Sequence, residues 1–292
     1  MKKPFKIVVL AKQVPDTRNV GKDAMTPEGT VNRAALPAIF NPEDLNALEA
    51  ALQLKDQTEG STVHILTMGP PRAAEIIRDA IFRGADGGYL LTDAKFAGSD
   101  TLATSYALSC ALKRIQPDII VAGRQAIDGD TAQVGPQVAE KMRLPQVTYA
   151  EEILEVKENA LVIKRRLEHG TEVVECPVPM VLTVNASAKE CRPKNARRVM
   201  KYKYALTKAE IAAAPESLAA QLAAEKEYLQ IVTFSAADVN PDEKQLGLSG
   251  SPTKVKKIEN VVFQAKESKC LTGTDEEINE LMVELIASHT LG

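Results

Sequence analysis

The sequence of 292 residues contains no tryptophan, and only 4% of its residues are aromatic. So few aromatic rings leave little material for the stacking platforms that bind single-stranded nucleic acid. The formal net charge of −3 gives no general attraction to nucleic acid either, so we expect no nucleic-acid partner. No apolar run approaches the ~20 residues that cross a bilayer, and we therefore expect no membrane span.

Cysteine is also scarce, and its four copies are scattered along the chain, at Cys110, Cys176, Cys191 and Cys270. Because no two of them form a C-x-x-C pair, we predict neither a metal site nor a redox dithiol. Isolated cysteines are typical of a reducing compartment, and we expect a cytoplasmic protein. The first residues, MKKPFKIVVLAKQ, carry too short an apolar run for a signal peptide and predict a buried strand.

Several motifs of enzymes and nucleotide-binding proteins are missing. Neither G-x-x-x-x-G-K nor G-x-G-x-x-G occurs, which disfavours a Walker site and an ordinary Rossmann site. No serine or cysteine lies in a recognisable nucleophile motif. His64, His169 and His289 are far apart in the sequence, and a lone histidine is usually structural. We therefore assign no catalytic residue.

The first half of the chain alternates β-branched runs with helical patterns. The predicted strands are FKIVVLA, STVHILTMG, GGYLLTD and PDIIVAG, each followed by a helix. The first of these helices has Asn41 at its N-cap and Pro42 at its first position. Such alternation predicts an α/β protein, with a mostly parallel sheet covered by helices on both faces.

The pattern changes after Leu144. The runs EILEV and LVIKRRL predict a β-hairpin extension, which is followed by EVVE and the buried strand PMVLTV. An alanine-rich helix is predicted over residues 207–226. Residues 235–257 are polar and predict an extended C-terminal arm whose apolar side chains, Val239, Leu246, Leu248 and Val255, need a surface from another chain. A last helix is predicted after a cap at Thr274 or Asp275.

A polar loop follows the fourth predicted strand, in the sequence AGRQAIDGDTAQV. Ligands of open parallel sheets bind beyond the carboxyl ends of the strands, where residues 10–12, 68–70 and 123–134 are expected to meet. Asp130 or Thr131 can cap the next helix, whose free N–H groups would bind a phosphate, with Arg124 as counter-charge. An ordinary turn stabilised by its aspartates is the alternative interpretation.

These segments resemble the β subunit of electron transfer flavoproteins. The similarity is carried by VVLAKQVPDT, NPEDLNALEAAL, TMGP, IRDAIFRGAD and above all AGRQAIDGDTAQVGPQ, and it extends from Lys6 to about Tyr204. It implies a doubly wound α/β domain over residues 1–234, which includes a recognition segment at 184–204. It also implies that residues 235–292, an arm and a terminal helix, contact a separate α subunit.

The resemblance implies an adenine nucleotide in this subunit, either AMP or FAD, and a second FAD in the α subunit. The residues that match the family's nucleotide site are Leu10, Asn41, Pro42, Glu43, Asp44, Met68, Gly123, Arg124, Gln125, Ala126, Ile127, Asp128, Gly129, Asp130, Thr131, Ala132, Gln133 and Val134. Those expected to face a protein partner are Ala188, Arg192, Arg197, Arg198 and Lys201.

Two departures from the human-like branch of the family bear on function. Gly129 stands where that branch has a third loop acid, which favours the electron-bifurcating branch and FAD over AMP. Ala186 and Ala188 stand where a leucine anchor binds acyl-CoA dehydrogenases, which puts docking by that anchor in doubt.

The function expected from this resemblance is electron transfer between NADH, ferredoxin and an acyl-CoA dehydrogenase. A carrier with structural AMP is one alternative. A nucleotide-sensing regulatory protein without a redox role is another.

Overall fold

The computed structural model describes residues 3–16, 37–253, 270–288 and 290, and divides them into two compact units. The first unit holds the described residues up to Thr253, and the second holds those from Cys270 onward. The boundary at residue 234 and the assignment of residues 235–292 to one arm stay predictions.

The strands of the first unit are β1 (Lys6–Leu10), β2 (Gln13–Pro15), β3 (Ala38–Phe40), β4 (Thr62–Met68), β5 (Gly87–Leu91), β6 (Ile119–Gly123), β7 (Gln146–Val156), β8 (Ala160–Leu167), β9 (Gly170–Pro177), β10 (Met180–Val184), β11 (Leu206–Thr207) and β12 (Gln230–Phe234). Its helices are α1 (Pro42–Gln57), α2 (Ala74–Arg83), α3 (Thr101–Ile115), α4 (Val134–Met142), α5 (Ala196–Tyr202), α6 (Lys208–Ala213), α7 (Leu218–Glu225) and α8 (Ala236–Val239).

A ten-stranded sheet organises this unit, in the order β11-β12-β5-β4-β1-β6-β10-β7-β8-β9. Neighbouring strands from β11 to β7 are parallel, whereas β7, β8 and β9 pair antiparallel. The predicted parallel sheet and hairpin extension are therefore confirmed. Since β1 lies between β4 and β6, the order of strands reverses there, which is where such sheets bind ligands.

Alternate residues of β1 point into two separate cores. Ile7 and Val9 pack in a cluster with α1 and α2, whereas Val8 and Leu10 pack in a second cluster with α3 and α4. A strand buried on both faces accounts for the continuous apolar run of its sequence. The helices cover both faces of the sheet, as the alternation predicted.

Two segments late in the first unit differ from the prediction. The single helix predicted over residues 207–226 is wrong, because the chain forms α6 and α7 with a break that contains Pro215. Proline cannot donate the backbone hydrogen bond of a helix interior and constrains the residue before it. In addition, residues 230–234 form β12 beside β5, where the sequence pattern predicted no strand.

Part of the predicted arm packs on the first unit. Val239 is 8% exposed and Leu246 is 2% exposed, and both belong to the core cluster that contains Phe96. The expectation that these two side chains need a surface from another chain is therefore wrong. Leu248 is 64% exposed, and its need for a surface from another chain stays a prediction. Val255 lies outside the described residues.

The second unit contains α9 (Asp275–Ala287), and the Thr274 side chain accepts a hydrogen bond from the Glu277 N–H. The predicted helix and its cap at Thr274 are confirmed. Ile278, Met282 and Ile286 are each more than two-fifths exposed on this helix. Over the described ranges of the chain, none of the helices has the length and apolar character needed to cross a bilayer.

Candidate nucleotide-binding site

A cavity of about 400 Å³ lies at the carboxyl ends of β1, β4 and β6. It brings together Leu10, Asp44 and Met68 with residues 123–134, except for Ile127 and Asp128. The predicted residues Asn41, Pro42 and Glu43 do not line it. The volume is within the usual range of small-molecule sites.

Asn41 connects the start of α1 to the polar loop. Its side-chain amide donates to the Gln125 carbonyl at 2.8 Å, and its Oδ1 accepts from the Ile127 N–H at 3.1 Å. Asn41 occupies the N-cap position, as predicted, but its side chain makes no capping hydrogen bond. Asn41 itself is fully buried, and it joins the start of α1 to two backbone groups of the loop.

Asp44 joins the ends of two strands beneath the cavity. One of its carboxylate oxygens accepts from the Lys12 N–H at 2.8 Å, and the other accepts from the Gly123 N–H at 3.2 Å. Burial raises the pKa of this carboxyl to about 7, although these hydrogen bonds act in the opposite direction. A β-carbon on Gly123 would lie only 2.5 Å from Asp44 Oδ1, which explains why glycine stands there.

Two ion pairs hold charged side chains in place around the polar loop. Arg124 pairs with Glu43 at 3.0 Å, and Glu43 also accepts from the Gln125 N–H at 3.1 Å. Lys12, which follows β1, pairs with Asp128 at 2.8 Å. The loop therefore obtains its lysine from another strand end, and Asp128 holds that lysine instead of facing the cavity.

The predicted cap of α4 is wrong. The helix begins at Val134, after Gln133, which makes no side-chain capping hydrogen bond. Pro136 is tolerated because it falls in the first turn. Asp130 and Ala132 have positive φ values of 48° and 52°, and they extend the loop past the predicted cap at Asp130 or Thr131. With no side chain capping α4, its first N–H groups can bind an anion.

The opposite wall of the cavity was not predicted. It consists of Phe96, Ser99, Asp100, Thr101 and Thr104, around the start of α3. The Thr101 hydroxyl donates to Gln133 Oε1 at 2.8 Å and so joins this wall to the loop. The sequence did contain one signal: Asp100 is an aspartate in front of a helical pattern, and its side chain caps α3.

The lining of the cavity suits an adenine nucleotide. The uncapped start of α4 offers N–H donors to phosphates, and Lys12 and Arg124 line the cavity beside it, each paired with an acidic side chain. Leu10, Leu66 and Met68 offer an apolar surface to a flat ring. Over the parts of the chain that the structure describes, no cluster of side chains fits a metal ion.

Comparison with known proteins assigns the chain to a family. The model of the electron transfer flavoprotein domain matches residues 28–209, which include the whole polar loop. The chain belongs to the electron transfer flavoprotein family. Membership implies association with a flavin and with an α subunit.

Named relatives support the assignment over most of the chain. An electron transfer flavoprotein subunit beta from Megasphaera elsdenii is 43% identical over 261 residues, which cover 87% of both chains. The subunit CarD of the caffeyl-CoA reductase-Etf complex from Acetobacterium woodii is 48% identical over 61% of this chain and 68% of its own. The acryloyl-CoA reductase electron transfer subunit gamma from Anaerotignum propionicum is 50% identical over 61% of this chain and 67% of its own.

The residues of this electron transfer flavoprotein subunit that were predicted to face a protein partner differ from one another in exposure. Ala188 is buried, and Arg192 pairs with Glu49 at 2.9 Å. Arg198 donates from Nε to the Ile81 carbonyl at 2.6 Å, near the end of α2. Arg197 and Lys201 are exposed on α5. Their role toward a partner stays a prediction.

Proposed function

We propose that this chain is the nucleotide-holding β subunit of an electron-bifurcating electron transfer flavoprotein, and that its cavity binds FAD. In this function the electrons of NADH are divided between a low-potential acceptor such as ferredoxin and the α-subunit flavin. An acyl-CoA dehydrogenase would be the redox partner of the α subunit. The names of the two reductase-complex relatives support this assignment.

The observation that carries the choice of FAD is the free space at Gly129. A β-carbon built on Gly123 or Gly135 meets neighbouring atoms at 2.5 and 2.6 Å, whereas one on Gly129 meets nothing within 4 Å. Packing within this chain therefore does not require glycine at position 129. The absence of a side chain at position 129 leaves the cavity open beside the loop that would hold the phosphates. FAD is longer than AMP and needs this room.

The residues of the chain would bind and orient the ligand. Lys12, Arg124 and the first N–H groups of α4 would hold its phosphates, while Asn41 and Asp44 keep the loop and the strand ends in place. Bound FAD would accept a hydride and pass on single electrons, which is chemistry of the cofactor itself.

Two other functions use the same cavity. In a non-bifurcating carrier it would hold AMP with a structural role, and in a nucleotide-sensing regulator the nucleotide would have no redox role. Nucleotide analysis of the purified heterodimer separates these functions. We expect two flavins per heterodimer, whereas one flavin with one AMP would show the carrier and the absence of flavin would show the regulator.

Gly129→Asp tests where the phosphates lie. We expect this variant to lose most of the FAD of this subunit, because a carboxylate would crowd and repel the phosphates. The FAD retained after purification is measured by absorbance. Gly129→Asn is the control of equal size and is expected to retain more FAD, since it adds no charge. Full FAD occupancy in Gly129→Asp would contradict the proposed position of the loop.

For the protein partner, we propose that Arg197 and Lys201 provide electrostatic steering. No ion pair of the Arg197 side chain is found within the described part of the chain, so its charge faces solvent. Lys201 lies 5.0 Å from the ring of Tyr202 and 5.1 Å from that of Tyr228, which hold its charge at the surface.

Arg197→Glu should slow electron transfer to the dehydrogenase roughly fivefold at low salt, through the association rate. The difference from the wild type should shrink as ionic strength rises. Stopped-flow mixing at several salt concentrations measures both effects. Lys113→Glu makes the same change of charge on α3 and should leave the rate unchanged. Equal rates for all three proteins would refute the steering role.

A further inference from the structure

The unpredicted wall of the cavity is supported by residues 243–253. Lys95 pairs with Glu243 at 2.5 Å, and the buried Leu246 packs in the cluster that contains Phe96. Gly247 has a φ of 53°, and a β-carbon there would lie 2.5 Å from the Lys95 carbonyl oxygen. Residues 95–96 of the wall and residues 243–247 are thus packed closely against each other.

Asp100 is the centre of this support. Its Oδ1 accepts from the Ala103 N–H at 3.0 Å, which caps α3. Its Oδ2 accepts from both the N–H and the hydroxyl of Thr253, at 3.1 and 2.6 Å. Its own N–H donates to Ser251 Oγ at 2.9 Å, and Ser251 is only 4% exposed. Both oxygens of the carboxylate and the N–H of Asp100 are therefore engaged.

The same network reaches the polar loop. Asp100 fixes the first turn of α3, and the next residue, Thr101, donates to Gln133 at 2.8 Å. Ser105 donates to Gln137 Oε1 at 3.0 Å one turn later, so α3 and α4 are joined at two levels. Displacement of Asp100 would move the wall and the end of the loop together.

We propose that Ser251 and Thr253 are positioning residues of the nucleotide site, which they control through Asp100. They lie outside the cavity, more than a hundred residues along the chain from the wall that they hold. This role rests on the proposed nucleotide-binding function. With this role, the affinity for a nucleotide depends on how closely residues 243–253 pack against the wall.

Thr253→Val tests the proposal, because it removes the hydroxyl and keeps the shape of the side chain. The full-length chain is purified with its α subunit and freed of the β-subunit nucleotide, and AMP and then FAD are titrated by calorimetry. We expect the dissociation constant of the nucleotide to rise about tenfold in Thr253→Val and in Ser251→Ala. Thr253→Ser should restore the wild-type value.

Thr207→Val is the matched control. Thr207 also donates its N–H and its hydroxyl to one carboxylate oxygen, that of Glu210, at 2.8 and 3.0 Å, but it lies at β11. We expect this variant to lower the melting temperature and to leave nucleotide affinity unchanged. Wild-type affinity in Thr253→Val, or an equal loss of affinity in Thr207→Val, would overturn the positioning role while the nucleotide site stands. Absence of nucleotide binding by the wild type would overturn both proposals.

Discussion

Gly123→Ala should lower the free energy of unfolding by about 3 kcal/mol, whereas Gly129→Ala should change it by less than about 0.5 kcal/mol. The β-carbon at position 123 would lie 2.5 Å from Asp44 Oδ1 and 2.7 Å from the carbonyl carbon of Glu43. Backbone atoms of α1 can move away only if the helix shifts from β6, and the hydrogen bond between Gly123 and Asp44 would then be lost.

Urea denaturation followed by circular dichroism measures both values. Gly123 is the last residue of β6 and Gly129 lies in the polar loop that follows it. Each variant adds one methyl group, so the comparison measures the effect of crowding. Gly123→Ala should also weaken nucleotide binding, because the strand end that it displaces lines the cavity. Equal stability of the two variants would show that α1 does not pack against β6 as closely as described.

The second large effect is a dependence of the free energy of unfolding on pH, which arises from Asp44. Because burial raises its pKa from 3.8 to about 7, the folded state holds this proton more tightly than the unfolded state. The resulting stabilisation is complete below pH 3.8 and is lost as pH rises to about 7. A shift of this size corresponds to roughly 4 kcal/mol.

Unfolding free energies measured between pH 4 and pH 8 should therefore fall less steeply in Asp44→Asn than in the wild type. The asparagine cannot ionise, so the contribution of this group to the slope disappears, although its altered hydrogen bonds lower stability at every pH. The difference in slope between the two proteins is the quantity to compare. Parallel profiles would show that Asp44 is already ionised throughout this range.

The sequence contains enough information to predict the sheet and the strand ends at which the cavity lies. The apolar runs that become β1 and β6 are almost wholly buried, and those that become β4 and β5 are buried at most of their residues, so their composition differs from that of the helices. Because the carboxyl ends of parallel strands meet at one edge, the pattern predicts residues 123–134 beside Leu10 and Met68.

Contacts between distant side chains could not be predicted in the same way. Asn41 is a good N-cap residue by type, but the structure uses its amide to hold the loop. By sequence, Asp128 has the character of an ordinary turn residue. Only the fold shows that it pairs with Lys12, which follows β1. The wall at residues 96–104 forms because the fold brings the start of α3 close to residues that are distant in the sequence. A local sequence pattern does not contain this information.

The end of the first unit was predicted least well. The run QIVTF has the composition of a strand but is short, and only its pairing with β5 and β11 distinguishes it from a loop. Residues 243–253 have few apolar side chains, so they resemble an unsupported arm. They are held instead by the burial of Leu246, by the close fit of Gly247 against Lys95, and by the hydrogen bonds of Ser251 and Thr253 with Asp100.

The place of β10 in the sheet has a consequence for folding during synthesis. β10 lies between β6 and β7, although β7, β8 and β9 precede it in the chain. The Arg124 N–H, at the start of the polar loop, donates to the carbonyl of Val184, the last residue of β10. A ribosome-bound chain can therefore complete the loop only after Val184 has left the exit tunnel. Until then the edge of β6 that pairs with β10 lacks that strand, and an unpaired strand edge favours association with other chains.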